Sequence, residues 1–167
     1  MEYLIRPLAL EDEPFLWQML YEAAHMTQED KPVDAVKNHP DLAKYVRDWG
    51  RTTDIGFVAI FVNKNQSIGA VWLRLLTGEN KGYGYINDAT PELAIAVLPE
   101  HTGKGVGTQL IAHVLEAAKA LYPSVSLSVR ATNPAKRLYE RLGFRVVEGS
   151  ETVNRIGGTS VKMKVDF

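Results

Sequence analysis

The chain contains no cysteine among its 167 residues. This absence excludes a disulfide framework and any mechanism that proceeds through a cysteine-bound intermediate. Histidine is also scarce, and the four histidines form neither an H-E-x-x-H motif nor another arrangement of paired metal ligands. We therefore expect no catalytic metal.

The sequence has neither an excess of one charge nor a long apolar run. It carries 19 basic and 20 acidic residues, and no strongly basic stretch marks a nucleic-acid surface. No apolar stretch is long enough to span a membrane, and the N-terminal residues do not resemble a signal peptide, so we expect no membrane contact and a cytoplasmic location. With no linker, repeat or low-complexity tract, residues 1–167 are expected to form a single domain.

A glycine-rich segment follows a predicted strand. The strand is Glu92–Leu98, and glycine occupies every second position from Gly103 to Gly107. The helix predicted next carries apolar residues on one face: Leu110, Val114, Ala117 and Leu121. Glycine lets the backbone approach a ligand closely, and the first N–H groups of a helix lack partners within it. The segment therefore indicates a site for a phosphate or pyrophosphate.

Two other glycine-loop classes do not fit this segment. A P-loop needs serine or threonine after its lysine, whereas Lys104 is followed by Gly105. The dinucleotide fingerprint needs a further glycine where the chain has Thr108 and Leu110. The plain alternative is a tight turn that binds nothing.

The residues after the glycine segment predict a parallel strand–helix–strand unit. Ser124–Arg130 alternates apolar and polar residues, as a half-buried strand does. Asn133 then suits a helix N-cap, Pro134 the first helical position and Gly143 the left-handed residue that ends a helix. We expect a short helix within residues 133–144.

Residues 90–148 resemble the GNAT superfamily of acyl-CoA-dependent N-acetyltransferases. Gly105 and Gly107 stand at the two small-residue positions of the family's coenzyme A loop. A second signature segment follows in the expected order, with its four characteristic residues in register: Asn133, Tyr139, Gly143 and Phe144. Thr102 departs from the family, which usually has glutamine or arginine there, so a side-chain contact to the pyrophosphate is lost or weakened.

The resemblance implies an α/β fold in which helices flank a mixed central sheet. The first half of the chain is expected to supply its antiparallel part, and the last residues two more strands. The expected elements are strand Tyr3–Leu8, helices Glu11–His25 and Asp41–Trp49, a hairpin of Gly56–Val62 and Ser67–Thr77, and strands Arg145–Glu148 and Ser160–Phe167.

The resemblance also implies the residues that bind acetyl-CoA. The strand before the loop is expected to hold the pantetheine arm through Ile95, Ala96, Val97 and Leu98, with an N–H near Val97 polarising the carbonyl. The loop is expected to bind the pyrophosphate through Thr102, Gly103, Lys104, Gly105, Val106, Gly107 and Thr108, and Asn133 and Tyr139 complete the site. For Lys104, an exposed loop lysine is the simpler interpretation.

Two residues are candidates for proton transfer. Tyr139 matches the family's tyrosine beside the sulfur, which acts as general acid. Glu92 begins the strand that leads to the carbonyl, where the superfamily often has an acidic residue. A solvated carboxylate at the end of a strand is the alternative interpretation of Glu92. Some relatives carry a glutamate at the matching place on the next strand, where this chain has Ser128, and this difference favours Glu92 or water as the base.

The sequence thus predicts an acetyl-CoA-dependent N-acetyltransferase that transfers acetyl directly to a primary amine of a small molecule or peptide. The resemblance implies an acceptor pocket built from Trp17–Tyr21, Trp49, Trp72 and the region Glu79–Asp88. The acidic residues Glu79, Asp88 and Glu92 suit a cationic acceptor. The alternative is a non-catalytic module of the same fold that senses acyl-CoA. A homodimer is left open.

Overall fold

The structure, a computed structural model, describes residues 2–26, 31–154 and 156–167. Within these residues, eight strands form one mixed sheet in the order β1-β2-β3-β4-β5-β8-β6, and β7 also pairs with β8. The strands are β1 Tyr3–Pro7, β2 Ile55–Phe61, β3 Gln66–Arg74, β4 Glu92–Val97, β5 Ser124–Arg130, β6 Arg145–Val146, β7 Thr152–Val153 and β8 Thr159–Asp166. The α-helices are α1 Glu13–Ala23, α2 Pro40–Ala43, α3 Val106–Lys119 and α4 Ala135–Arg141. The α/β architecture expected from the sequence is confirmed.

Strands β1 to β4 form the antiparallel half of the sheet. The predicted hairpin is present as β2 and β3. Its connection ends at Asn65, whose φ of +47° lies in the left-handed region that asparagine tolerates better than most residues. Each strand of the hairpin is rich in residues that suit a buried pleated surface.

Strands β4 and β5 are parallel and separate soon after they meet. Their register consists of one pair, Glu92 with Ser126, although the strands are six and seven residues long. Helix α3 makes the crossover between them, as predicted from the sequence. Beyond that pair the sheet opens into a fork, which we call the β4–β5 fork.

Side chains on the two faces of the sheet pack into two cores. One core joins α3 and α4 to the sheet and contains Leu93, Leu110, Val114, Leu127 and Phe144. The other lies under α1 and residues 40–49 and contains Leu16, Leu20, Val46 and Trp72. Because strand side chains alternate between faces, Ile95 and Val97 meet the first core, and Ala94 and Ala96 meet the second.

Residues 41–49 form less helix than predicted. Helix α2 ends at Ala43 and turns follow, because Arg74 takes carbonyl groups that a longer helix would use itself. The Arg74 guanidinium donates to the carbonyls of Lys44 at 3.0 Å and Arg47 at 2.6 Å. It also pairs with Asp54 at 2.8 Å, and both side chains are 1% exposed.

Helix α4 has the ends that the sequence predicts. The Asn133 side chain accepts a hydrogen bond from the Ala135 N–H at 2.9 Å, which satisfies a first-turn donor. Gly143 has a φ of +102°, and the N–H groups of Gly143 and Phe144 bond back to the carbonyls of Glu140 and Tyr139. This is a Schellman C-cap, and it fixes the position of Tyr139 in the last turns of the helix.

Candidate active site

A cleft of about 1290 Å³ occupies the β4–β5 fork. Its walls come from β4, β5, the glycine loop, α4, the end of α1 and the start of β7. The fork creates this space because two neighbouring strands that diverge leave a gap between their backbones. Open α/β sheets commonly bind ligands at such gaps beyond the carboxyl ends of their strands.

The glycine loop presents unpaired N–H groups at one end of the cleft. Gly103 and Gly105 have φ values of +75° and +84°, a conformation that glycine adopts without strain. The first bond of α3 runs from the Gln109 N–H to the Gly105 carbonyl at 3.2 Å. The preceding amides, Val106 to Thr108, therefore have no acceptor within the helix and lie at its positive end. This geometry suits an anion.

The free edge of β4 forms a second part of the cleft wall. The Pro91 carbonyl accepts from the Ser126 N–H at 3.0 Å, whereas the Leu98 N–H donates to Ile68 on the opposite side at 2.8 Å. Strand backbone groups alternate between the two edges, so the N–H and carbonyl groups of Ile95 and Val97 point into the fork. An extended ligand could pair with this edge as a further strand does.

Two residues expected to bind the coenzyme lie outside the cleft wall. Leu98 is buried in the second core, and its N–H is already bonded to Ile68. Lys104 is exposed, which agrees with the simpler interpretation of it. The Thr102 hydroxyl donates to the Pro99 carbonyl at 2.9 Å, so it is not available as a donor to a phosphate. The other loop residues, Ile95 to Val97, Asn133 and Tyr139 all line the cleft.

Glu92 lines the cleft and is 5% exposed, so it is not a solvated carboxylate. Burial raises the pKa of Glu92 to about 7, although the Tyr45 hydrogen bond, the Gly84 amide and the charges of Lys162 and Lys44 act in the opposite direction. Its Oε2 atom accepts a hydrogen bond from the Tyr45 hydroxyl. A carboxyl group with a pKa near neutrality can take up and release a proton under ordinary conditions.

Two buried oxygen atoms at the start of the fork have no hydrogen-bond partner among the described residues: Glu92 Oε1 and Ser126 Oγ. The two residues are register partners on adjacent strands, so their side chains project from the same face of the sheet. Buried polar atoms without partners are rare and usually mark a place for water or a ligand.

Several residues of this site were not predicted from the sequence. Tyr45 lies in the segment predicted as helix Asp41–Trp49, and no individual role in the site was predicted for Tyr45, Gly82 or Gly84. No local spacing could identify them, because Tyr45 and Glu92 are 47 positions apart. The pair of glycines around Tyr83 was the one signal of a close backbone approach.

Tyr139 lies on the opposite wall of the cleft. Its ring packs edge-on against Phe144 at a centroid distance of 6.0 Å, and the residue is 8% exposed. Burial raises the pKa of Tyr139 to about 12, so the phenol stays protonated throughout the neutral range. Its hydroxyl has no hydrogen-bond partner within the part of the chain that the structure describes.

The residues expected to build an acceptor pocket are mostly elsewhere. Trp72 is 1% exposed and donates to the Tyr45 carbonyl at 2.9 Å, and Trp49 packs beneath the Arg74 guanidinium. Glu79 and Asp88 do not contribute to the wall of the cleft. Two residues of the predicted segments, Leu20 and Tyr83, do line the cleft. The other described residues there that could contact an acceptor are Glu22, Asp41, Tyr45, Arg130 and Asn154.

The described residues contain no cluster of three histidine, aspartate or glutamate side chains suited to a metal ion. Among the same residues, no helix has the length and apolar character needed to cross a bilayer.

Comparison with solved structures finds the same fold in several acetyltransferases. A spermidine N-acetyltransferase SpeG chimera from Vibrio cholerae and hSSAT is 25% identical, with a TM-score of 0.65 over 99% of this chain and 96% of that chain. A ribosomal-protein-alanine N-acetyltransferase from Brucella melitensis is 19% identical, with a TM-score of 0.70 over 98% and 99%. An IAA acetyltransferase from Bacillus cereus is 19% identical, with a TM-score of 0.67 over 99% and 100%.

Among curated protein sequences, none matches this chain. The sequence model of the acetyltransferase (GNAT) family matches residues 16–144, which include both predicted signature segments and most of the residues that line the cleft. The chain therefore belongs to the GNAT acetyltransferase family.

Proposed function

We propose that this protein is an acetyl-CoA-dependent N-acetyltransferase that transfers acetyl directly to a primary amine. One observation carries the proposal: a buried carboxyl group with a pKa near 7 and a protonated tyrosine line the same cleft as the unpaired amides of the glycine loop. This combination provides an anion site, a proton acceptor and a hydrogen-bond donor for the leaving group in one cavity, and amide formation from a thioester needs all three.

The fork and the glycine loop fit the donor substrate. The amides of Val106 to Thr108 would hold the pyrophosphate, and the free edge of β4 would bind the pantetheine arm through Ile95 and Val97. Bound acetyl-CoA supplies an acetyl group activated as a thioester. The Val97 N–H, which points into the fork, is the donor we assign to its carbonyl oxygen.

Glu92 is the group we assign to the amine proton. An alkylamine with a pKa of about 10 enters the site mostly as its ammonium form and must lose a proton before its nitrogen can attack. The neutral nitrogen then forms the new C–N bond while the C–S bond breaks. It loses its second proton to solvent at this step, and the thiolate takes up one proton from solvent. Glu92 Oε1 takes the ammonium proton directly or through a water beside Ser126. Neither Glu92 Oε1 nor Ser126 Oγ has a hydrogen-bond partner among the described residues, so both are free to bind such a water.

Tyr139 is the group we assign to the sulfur. A thiol has a reference pKa of about 8.5, so complete proton transfer from a phenol with a pKa of about 12 is unfavourable by roughly three pH units. A hydrogen bond from the phenol to the sulfur that develops as the C–S bond breaks carries no such penalty. We therefore propose that Tyr139 stabilises the leaving thiolate through a hydrogen bond and that the thiolate takes up its proton from solvent.

A binding and turnover experiment tests the proposal. We expect acetyl-CoA to bind in calorimetry and thiol release to appear in a screen of amines, with spermidine included because a spermidine acetyltransferase chimera shares 25% identity.

Gly105→Val should weaken acetyl-CoA binding at least about tenfold, since a β-branched residue at φ +84° strains the loop. Its matched control is Gly149→Val, at φ +75° in similarly open space and outside the cleft lining. Binding without thiol release across the screen would instead favour an acyl-CoA sensor.

The Tyr139→Phe variant measures the assigned role of the phenol. We expect kcat to fall about a hundredfold with little change in acetyl-CoA affinity, because the hydroxyl acts on the reacting sulfur rather than on binding. Thermal unfolding should be nearly unchanged, since the hydroxyl makes no hydrogen bond within the described residues. Tyr21→Phe is the control, as the Tyr21 hydroxyl bonds the Lys31 carbonyl away from the cleft lining. An unchanged kcat in Tyr139→Phe removes the role.

A further inference from the structure

Tyr45 makes three connections at the base of the cleft. Its hydroxyl donates to Glu92 Oε2 and accepts from the Tyr83 N–H at 2.8 Å, and its carbonyl accepts from the Trp72 indole at 2.9 Å. The residue is 5% exposed. The phenol is therefore held in position from both sides and has one direction left in which to donate its proton.

Residues 82–84, which we call the glycine strap, cover the Tyr45–Glu92 pair. A Cβ on Gly84 would lie 3.0 Å from the Glu92 carboxyl carbon and 2.8 Å from the Leu127 backbone, and a Cβ on Gly82 would overlap both Glu92 Oε1 and the Tyr45 hydroxyl. Neither glycine has a positive φ, so the close approach and not the backbone conformation requires glycine here. The strap restrains the carboxyl group between two backbone segments.

We propose that Tyr45 is a positioning residue for Glu92: by occupying Oε2, it leaves Oε1 as the single atom through which the carboxyl group exchanges a proton during acetyl transfer. The inference rests on the proposed function, because it assumes that Glu92 accepts the amine proton. It adds to the site a residue from the segment 40–49.

Other charged groups near Glu92 do not replace this contact. Lys162 on β8 and Lys44 beside Tyr45 both lower the pKa of Glu92 through their charges. The Lys162 ammonium itself donates to the Tyr85 carbonyl, and the Lys44 ammonium to the Lys81 carbonyl. Arg74, the register partner of Glu92 on β3, is paired with Asp54. Of these groups, Tyr45 is the one that hydrogen-bonds the carboxyl group through its side chain.

The first readout is the pH profile of Tyr45→Phe. The hydrogen bond from Tyr45 lowers the pKa of Glu92, so its loss should move the acidic limb of kcat/KM upward by about one pH unit. At pH values below the pKa of Glu92, kcat/KM of the variant should therefore be about tenfold lower than that of the wild type, and at pH values well above it the two should be nearly equal. Tyr122→Phe is the matched control, because it also loses one phenol hydrogen bond, to the Thr53 carbonyl, and should keep the wild-type profile.

The second readout does not depend on activity. Carbon-13 NMR of the glutamate carboxyl groups, with Glu92 assigned by Glu92→Gln, should show Glu92 titrating at higher pH in Tyr45→Phe than in the wild type. The same titration midpoint in both proteins overturns the inference, even if the enzyme is active. An inactive wild type with a shifted midpoint would instead contradict the proposed function alone.

A reciprocal measurement covers the case in which Tyr45→Phe does not fold. Burial and the negative charge of Glu92 raise the pKa of Tyr45 well above its ordinary value. The signal of the Tyr45 ring carbon that carries the hydroxyl should therefore shift in the wild type as Glu92 ionises near pH 7, and this shift should be absent in Glu92→Gln. A Tyr45 signal that does not change near pH 7 in the wild type would mean that the two side chains are not coupled, which also overturns the inference.

Discussion

Replacing Glu92 with glutamine is expected to lower kcat/KM by about 10² to 10⁴ while acetyl-CoA binding is retained. Glutamine has nearly the same shape and keeps an oxygen that can accept from the Tyr45 hydroxyl, so the change removes proton uptake and little else. In the wild type, activity should rise with pH through about 7 as the carboxyl group ionises. Steady-state kinetics from pH 5.5 to 9 measure both effects.

The control for this variant is Glu100→Gln. Glu100 is exposed in the short turn before the glycine loop and does not line the cleft. The Glu100→Gln substitution removes the same charge close to the proposed acetyl-CoA site, so this variant should keep wild-type kcat/KM. If Glu92→Gln were as active as this control, a water molecule or another group would have to be the base.

The same substitution has a predictable effect on stability. The pKa of Glu92 is raised from 4.5 to about 7, so the folded protein binds more protons than the unfolded chain between these values. The contribution of Glu92 to stability is therefore largest below pH 4.5 and is lost as pH rises through about 7. The shift corresponds to roughly 3 kcal/mol, so at pH 8 Glu92→Gln should be more stable than the wild type by up to that amount, and near pH 4 it should not. Chemical denaturation at the two pH values tests this.

Replacing Arg74 with alanine is expected to destabilise the fold by about 3 to 5 kcal/mol. The change leaves Asp54 buried without its cationic partner and leaves the carbonyls of Lys44 and Arg47 without their donor. The segment that carries Tyr45 is attached to the sheet through these bonds. The rate of acetyl transfer at neutral pH should therefore fall together with stability. Urea denaturation of the purified variant gives the free energy of unfolding.

Arg6→Ala is the matched control for Arg74→Ala. Arg6 also forms a bidentate ion pair, with Asp12, but its side chain is 42% exposed. Solvent screens such a pair, so its loss should cost about 1 kcal/mol or less. Equal losses in the two variants would show that burial of the Arg74–Asp54 pair has no special weight in this protein.

The elements governed by local chemistry were predictable from the sequence. Asn133, Pro134 and Gly143 specify the ends of α4 through capping, and alternation identifies β5. The glycine loop is identifiable because positive φ angles and free amides at a helix start both follow from glycine spacing. These features depend on residues within a few positions of one another.

The features that depend on distant residues were not predictable. Helix α2 stops early because Arg74, some thirty positions later, binds the carbonyls of Lys44 and Arg47, which a longer helix would use itself. Glu92 reads from sequence as a strand-end carboxylate that is as easily solvated as buried. Its burial comes from Tyr45, which precedes it by 47 positions, and from a strap whose contact with β5 no local pattern encodes.

The β4–β5 fork also has a mechanical consequence. A single residue pair, Glu92 with Ser126, joins strands β1 to β4 to strands β5, β8 and β6. The contact between these two parts of the sheet therefore depends on side-chain packing. Helix α3 supplies these side chains, because its Leu110 and Val114 pack in one core with residues from both parts of the sheet. Helix α3, whose first turn would bind the pyrophosphate, thus also connects the two parts of the sheet. A ligand bound at its first turn would therefore stabilise the contact between these two parts as well.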